Sequence, residues 1–100
     1  MDVTYRVDKE ILYIAVSGRV DASNAAVAEE KIFAIKAENK GKHTVLDADN
    51  LEYISSAGLR VILKAQKAMA AKGGMKLLHV NETIMEIFEI TGFSDILTIV

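Results

Sequence analysis

Segments with the alternating apolar pattern of β-strands take turns with helical segments along the chain, and this order limits the folds available to it. Strands that alternate with helices form a sheet with parallel neighbours, right-handed crossovers and helices packed against it. The predicted order is ββαβαβαβ, which is an α/β fold. The strands are predicted at residues 3–7, 11–16, 43–48, 75–80 and 96–100, and the helices at about 24–36, 57–71 and 81–91.

The segments between these elements carry turn and capping residues. The polar segment 8–10 predicts a hairpin between the first two strands, which makes the sheet mixed. Ser17-Gly18 has turn chemistry and is expected to end the second strand. We therefore expect a single mixed β-sheet of four to five strands with helices packed on it. The expected caps are Asp21, Ser23 and Asn24 before the first helix and Asn81 before the last, and the expected stops are Gly73-Gly74 and Gly92.

Composition narrows the class of protein. The chain has 100 residues, 51% of them apolar, which fits one domain over residues 1–100 with enough apolar surface for a core. The absence of cysteine excludes a disulfide scaffold, a Cys-ligated zinc site and a thiol nucleophile. A net charge of −2 argues against nucleic acid as a partner, and no apolar run reaches the roughly 20 residues of a membrane span. We expect a cytoplasmic protein with no nucleic-acid partner and no membrane insertion.

Two adjacent serines, Ser55 and Ser56, stand between a predicted strand and the second predicted helix. A serine in this place caps the helix by accepting a hydrogen bond from a free N–H of its first turn. Only one of the two can be the cap, so the other is a spare hydroxyl at the positive end of a helix. Such a hydroxyl can hold a phosphate, either as a ligand or as a covalent modification.

Nucleophilic catalysis by these serines is disfavoured. A catalytic serine needs a base within hydrogen-bond reach, and the chain has only two histidines, His43 and His79, both expected as half-buried strand residues. Ile54 occupies the position of the first glycine in the G-x-S-x-G pattern. We expect no catalytic residues and a protein that is not an enzyme.

Three acidic residues, Asp47, Asp49 and Glu52, precede the serine pair. Asp47 and Asp49 have the same strand parity, and paired carboxylates can hold Mg²⁺ or transfer protons. The favoured interpretation is that they are polar residues at a strand end and in a loop. No metal site and no cofactor are therefore expected.

Three motifs of the chain resemble one known family. The central motif, residues 51–63 with the sequence LEYISSAGLRVIL, resembles the signature of STAS domains, the family named for sulphate transporters and anti-sigma-factor antagonists. Residues 17–21, SGRVD, resemble the family's Gly-x-x-Asp turn after the second strand, and residues 87–93, IFEITGF, resemble its last helix and glycine stop. Within the family the chain looks most like the bacterial stand-alone anti-sigma factor antagonists.

This resemblance implies regulation by partner switching. An unmodified antagonist of this kind binds an anti-sigma factor that is also a serine kinase of the histidine-kinase ATPase type, and so frees a sigma factor. The kinase phosphorylates the antagonist, which breaks the complex, and a PP2C-type phosphatase reverses the modification. The resemblance places the acceptor at Ser56, with Ser55 as the alternative, and Asp21 at the turn aspartate beside it. The implied partner-binding residues are Asp21, Ser23, Asn24, Ser55, Ser56, Ala57, Gly58, Leu59 and Arg60.

Two other functions stay open at this point. A STAS domain can also be an accessory subunit of a lipid or anion transport system that binds its partner without phosphorylation. A chain with Asp47, Asp49 and a serine could instead be a small enzyme or metal-binding domain. Phosphorylation of one serine would distinguish the antagonist from the transport accessory subunit. Converging carboxylates would favour the enzyme or metal-binding domain.

Overall fold

The elements follow the predicted order after an N-terminal hairpin, except that one additional strand precedes the second helix. The computed structural model describes residues 1–70 and 74–100. The strands are β1 (Asp2–Asp8), β2 (Ile11–Val20), β3 (His43–Asp47), β4 (Leu51–Ile54), β5 (Met75–Leu78) and β6 (Thr98–Ile99). The helices are α1 (Ala25–Glu38), α2 (Ser56–Met69) and α3 (Glu82–Thr91), followed by a 3₁₀ turn at Phe93–Asp95.

One mixed sheet organises the described part of the chain. Its strand order is β1-β2-β3-β5-β6, and β4 pairs with β2 to complete a six-stranded sheet. The β1–β2 pair is antiparallel, whereas β2–β3, β2–β4, β3–β5 and β5–β6 are parallel. The predicted α/β class with a single mixed sheet is confirmed. The sixth strand, β4, lies in a segment that the sequence predicts as a loop.

Strand β2 continues through the turn signal that was expected to end it. Gly18 has φ +79, and the pairing register shifts between Gly18 and Arg19. The first half of β2 pairs with β3, and the part from Gly18 to Val20 pairs with β4. The glycine therefore forms an irregularity within the strand, because a positive φ is available to it without steric cost. The prediction of a strand end at Ser17-Gly18 is wrong.

The core lies on one face of the sheet. Leu12, Ile14 and Val16 of β2 are buried, whereas the alternate residues Tyr13 and Ala15 are only half-buried. This alternation is the period of a strand with one covered face. The helices supply the other half of the core, which includes Ala28, Ile32, Leu59, Ile62, Ala65, Ile84 and Phe88.

The ends of α3 form as predicted. The Asn81 side chain accepts a hydrogen bond from Ile84 N at 2.9 Å, and its amide also donates to the Leu51 carbonyl at 2.8 Å. Gly92 ends the helix with φ +80, the left-handed conformation that favours glycine. Gly74 belongs to the expected stop of α2. It has φ +83, and its N–H donates a hydrogen bond to the Met69 carbonyl at 2.8 Å. Gly73 and the predicted helix end at Ala71 lie outside the described residues.

Helix α2 approaches the sheet most closely at Gly58. A Cβ atom on Gly58 would lie 2.6 Å from Ile54 Cγ1 and 2.9 Å from Val20 Cγ1. Both distances are shorter than atoms in close-packed interiors tolerate, so a side chain here would push α2 away from β2 and β4.

No helix in the described ranges has the length and hydropathy that crossing a membrane requires.

We predict that Gly58→Ala destabilises the protein although alanine is the better helix former. Overpacking typically costs about 1–3 kcal/mol, and the propensity gain of alanine offsets roughly 0.5–1 kcal/mol of this. Urea unfolding followed by circular dichroism measures the change. Ala68→Gly, at an exposed position of the same helix, is the control for propensity alone. A Gly58→Ala variant that is more stable than the parent would contradict the packing argument.

Candidate functional site

The site lies where β4 runs into α2. Ser55 has extended backbone angles, φ −88 and ψ 176, and is the N-cap of α2. Its Oγ accepts a hydrogen bond from Gly58 N at 3.4 Å, a long contact. Ser56 is the first residue of the helix and is exposed, and its hydroxyl makes no hydrogen bond with any residue that the structure describes. One serine caps and the other is spare, as the sequence predicts.

A turn before α1 forms the second part of the site. Asp21 Oδ1 accepts hydrogen bonds from the Ser23 backbone N–H, at 2.9 Å, and from the Ser23 hydroxyl. Asn24 Oδ1 accepts from Asp21 N, and Asn24 Nδ2 donates to the Arg19 carbonyl, both at 2.9 Å. These side chains therefore close the turn on itself.

The prediction that a side chain caps α1 is wrong, because no described side chain makes a capping hydrogen bond at Asn24. Asn24 is the N-cap residue, but its side chain makes no capping hydrogen bond. Its amide oxygen and its amide nitrogen both bind backbone atoms of the preceding turn. The Asp21 carbonyl accepts from Ala25 N at 2.9 Å and so supports the first turn of the helix from the backbone. Ser23 is engaged with Asp21.

The turn lowers the pKa of Asp21. The hydrogen bond from the Ser23 hydroxyl is the largest cause, followed by the Ser23 backbone N–H, because both stabilise the carboxylate over the acid. Asp21 is therefore ionised at neutral pH. It places a fixed negative charge in the turn that follows β2.

Two parallel strands bring this turn to the start of α2. Val20 of β2 is in register with Ile54 of β4, and Ser55 N donates to the Val20 carbonyl at 2.9 Å. The carboxyl ends of parallel neighbours lie at the same edge of a sheet. Asp21 and Ser55, which directly follow these strand ends, are therefore neighbours in space although they lie far apart in sequence.

A cation–π pair that sequence reasoning missed lies beside the strand ends. Arg19 is in register with Tyr53, and its guanidinium lies 4.4 Å from the centroid of the Tyr53 ring. An exposed arginine held over an aromatic ring has a restricted orientation at the surface. No local sequence pattern predicts this cation–π contact, because it depends on the pairing of β2 with β4.

The remaining predicted partner-binding residues divide by burial. Ala57 is half-buried and Arg60 is exposed, and Arg60 lies one helical turn after Ser56. Gly58 and Leu59 are buried, with Leu59 only 4% exposed. These two residues hold α2 on the sheet and shape the surface from beneath, so the accessible part of this segment is Ser56, Ala57 and Arg60.

The acidic cluster joins two other strand ends. Asp47 Oδ1 accepts from Asp49 N at 3.0 Å and lies 3.1 Å from His79 Nδ1, which connects the end of β3 with the residue after β5. His79 has φ +60, and both histidines are exposed, so the expectation of half-buried strand histidines is wrong. Within residues 1–70 and 74–100, no three His, Asp or Glu side chains are grouped as a metal ion requires. Glu52 lies apart, exposed on β4.

In the described part of the chain, no base is hydrogen-bonded to either serine. The His79 ring pairs with Asp47, and no described histidine, aspartate or glutamate side chain is hydrogen-bonded to Ser55 or Ser56. The arrangement offers an exposed hydroxyl at a helix N-terminus, a fixed carboxylate in the adjoining turn and an exposed arginine on each side of them in sequence. This combination suits recognition and modification rather than hydrolysis.

Sequence comparison identifies relatives that cover nearly the same length. The STAS domain family matches residues 2–100. BtrV of Bordetella bronchiseptica, a candidate anti-sigma factor antagonist, is 36% identical over 87 residues, covering 86% of this chain and 74% of BtrV. The anti-sigma-B factor antagonist of Bacillus subtilis is 26% identical over 100 residues, covering 99% of this chain and 90% of the relative.

Solved structures share the fold. An anti-sigma factor antagonist from Mycobacterium paratuberculosis superposes with a TM-score of 0.86 at 18% identity, covering 98% of this chain and 83% of that one. SpoIIAA in its unphosphorylated form has a TM-score of 0.77 at 18% identity, covering 99% and 88%. SpoIIAA of Bacillus in the phosphorylated form has a TM-score of 0.69 at 20% identity, covering 99% and 91%.

These comparisons agree with the three sequence motifs and with the architecture. The family match extends over all three motifs, and its relatives are of similar length. The resemblance drawn from residues 17–21, 51–63 and 87–93 is confirmed. The chain belongs to the STAS domain family, in the group of bacterial anti-sigma factor antagonists.

Proposed function

We propose that this chain binds an anti-sigma factor in its unphosphorylated form, thereby releasing a sigma factor, and that phosphorylation of Ser56 ends the binding. The observation that carries the proposal is the free, exposed Ser56 hydroxyl at the first position of α2. Relatives over most of the chain are named antagonists of anti-sigma factors, which supports the partner class. The protein acts by binding and has no catalytic role.

Ser56 is a better acceptor than Ser55 for a physical reason. The Ser55 hydroxyl is half-buried and accepts the capping hydrogen bond from Gly58 N. A phosphate on Ser55 would have to leave or distort the cap. The Ser56 hydroxyl is exposed and has no such role, so a kinase can reach it without disturbing the helix start.

The added phosphate acts on the interface rather than on the fold. It brings about −1.5 to −2 charges at neutral pH, comparable with the whole net charge of −2. Free N–H groups and the helix dipole favour an anion at this position, and Arg60, one turn later, can pair with it. The cost therefore falls on a partner surface that fits a neutral hydroxyl beside the ionised Asp21.

The resemblance to this family implies the classes of the proposed partners. The anti-sigma factor is a serine kinase of the histidine-kinase ATPase type, and a PP2C-type phosphatase restores the unmodified chain. The contact surface includes Ser56, Ala57 and Arg60 of α2 together with Asp21 and Ser23 of the neighbouring turn. Ser23, Ser56 and Arg60 are exposed, and Asp21 and Ala57 are half-buried. The protein works in the cytoplasm without a cofactor.

The acceptor is tested by phosphosite mapping. Incubation with ATP and the anti-sigma kinase from the same cells is expected to add one phosphate, detected by intact-mass spectrometry and localised to Ser56 by fragmentation. Ser56→Ala should abolish the modification, and Ser55→Ala, the matched control, should retain it. Modification of Ser55 alone would overturn the assignment. Binding without any phosphorylation would point to an accessory role in transport instead.

The site of action of the charge is tested with Ser56→Asp. We expect its free energy of unfolding to stay within about 0.5 kcal/mol of the parent, as for an exposed substitution. Its affinity for the anti-sigma factor should fall at least about tenfold, or roughly 1.4 kcal/mol. Ser56→Ala, which adds no charge, should bind nearly as the parent does. Isothermal calorimetry and urea unfolding measure the two quantities. A variant that unfolds easily, or that keeps full affinity, would refute the interface mechanism.

The division of labour between the serines is tested by their stabilities. Ser55→Ala removes the cap and should cost about 0.5–1 kcal/mol, at the lower end of the usual range because the capping contact is long. Ser56→Ala should be close to neutral, since alanine is favourable inside a helix. Urea midpoints of the two variants give the comparison. Equal losses would show that both hydroxyls support the helix start.

A further inference from the structure

The outer edge of β1 is a long strand edge without a neighbour. In the part of the chain that the structure describes, β1 (Asp2–Asp8) pairs with β2 alone and stands at one end of the strand order. The opposite end of the order is β6, which spans only Thr98–Ile99. An edge strand leaves alternate N–H and C=O groups free to pair with another strand.

The side chains of β1 form two rows of different character. Val3, Tyr5 and Val7 are opposite the buried residues of β2 and so lie on the core side of the sheet. Tyr5 is nevertheless 48% and Val7 42% exposed. Natural edge strands are usually kept short, covered or charged. Strand β1 has seven residues and combines charges with this exposed apolar surface, which a partner strand of complementary charge could cover.

The second row of β1 is polar and carries both signs of charge. Asp2, Thr4 and Arg6 lie on the open face of the sheet, opposite Ser17, Ala15 and Tyr13 of β2. Arg6 stacks at 3.9 Å from the centroid of the Tyr13 ring, which keeps its guanidinium at the surface of this face. Asp8, opposite Ile11, continues this row, so a negative and a positive charge lie on either side of Thr4 and a second negative charge follows Arg6.

We propose that β1 pairs antiparallel with β1 of a second copy of this chain, with Thr4 opposite Thr4. This register places Asp2 opposite Arg6 of the second copy twice, once on each side of the two-fold axis. It also places Val3 opposite Tyr5 twice. Threonine pairs, aromatic pairs with β-branched residues, and opposite charges are the favourable cross-strand combinations. The two sheets join into one, with the helices of both copies on the same side.

Among the registers that pair most of β1, the charge pattern favours this one. Pairing centred on Tyr5 would place Asp2 opposite Asp8 twice, and parallel in-register pairing would place Arg6 opposite Arg6. Like charges directly opposite are destabilising. A slip by one residue would set the apolar row of one copy beside the polar row of the other. The Thr4-centred register avoids all three conflicts.

Charge reversal and charge exchange test the pairing. Sedimentation velocity over the micromolar range is expected to show a concentration-dependent dimer that weakens with added salt. Arg6→Asp and Asp2→Arg should each weaken dimerisation by roughly tenfold or more, because each creates two like-charge pairs. The double variant Asp2→Arg/Arg6→Asp should recover most of it. Asp8→Arg has no partner in this register and is the matched control, expected to dimerise as the parent does.

The double variant separates the pairing from effects within one chain. Arg6→Asp also removes the stacking on Tyr13, and exchange of Asp2 cannot restore that contact. Recovery of the dimer therefore reports the contact between copies. Hydrogen exchange of the β1 amides should slow as the protein concentration rises. A parent that is monomeric throughout, a folded double variant that stays monomeric, or a dimer with unprotected β1 amides would each overturn the proposal. None of these residues belongs to the Ser56 site, so the result is independent of the proposed function.

Discussion

The hydrogen bond from Ser55 N to the Val20 carbonyl is the contact on which the arrangement of the site depends. It closes the pairing of β2 with β4 at their carboxyl ends, 2.9 Å between N and O. Because both strands run in the same direction, the chain that leaves β2 and the helix that leaves β4 start from the same place. This pairing is what brings the Asp21 turn next to the serine pair.

Close packing beneath the site leaves its surface free for function. Gly58 lets α2 rest on Val20 and Ile54, and Leu59 fills the core beside them. Stability is thus supplied by buried residues and by the Ser55 cap, while the exposed Ser56 hydroxyl makes no hydrogen bond within residues 1–70 and 74–100. A charge added at a position with no structural role can change binding without changing the fold. This separation is what a reversible switch requires.

Hydrophobic periodicity was enough to predict the sheet and the helices, because the core face of each element repeats at its own period. It failed where pairing is decided at long range. Strand β4 has only four residues and is stabilised by β2, and Gly18 continues β2 because β4 is there to pair with it. The contact of Asp47 with His79 joins residues 32 apart. The serine pair was predictable since a helix cap is a local signal, whereas Arg19 over Tyr53 was not.

Strand β2 connects the two surfaces at which binding is proposed, the outer edge of β1 and the Ser56 site. Its residues up to Ser17 pair with β1, whose other edge is open, and its residues after the irregularity at Gly18 pair with β4 and lead into the Asp21 turn. Because its pairing changes at Gly18, one strand supports β1 with its first part and the start of the Asp21 turn with its last part. In both proposals recognition depends on single ionised groups at the surface rather than on the net charge of −2. Under the proposed switch, one added phosphate would dominate the local field, because a net charge of −2 supplies no larger field to mask it.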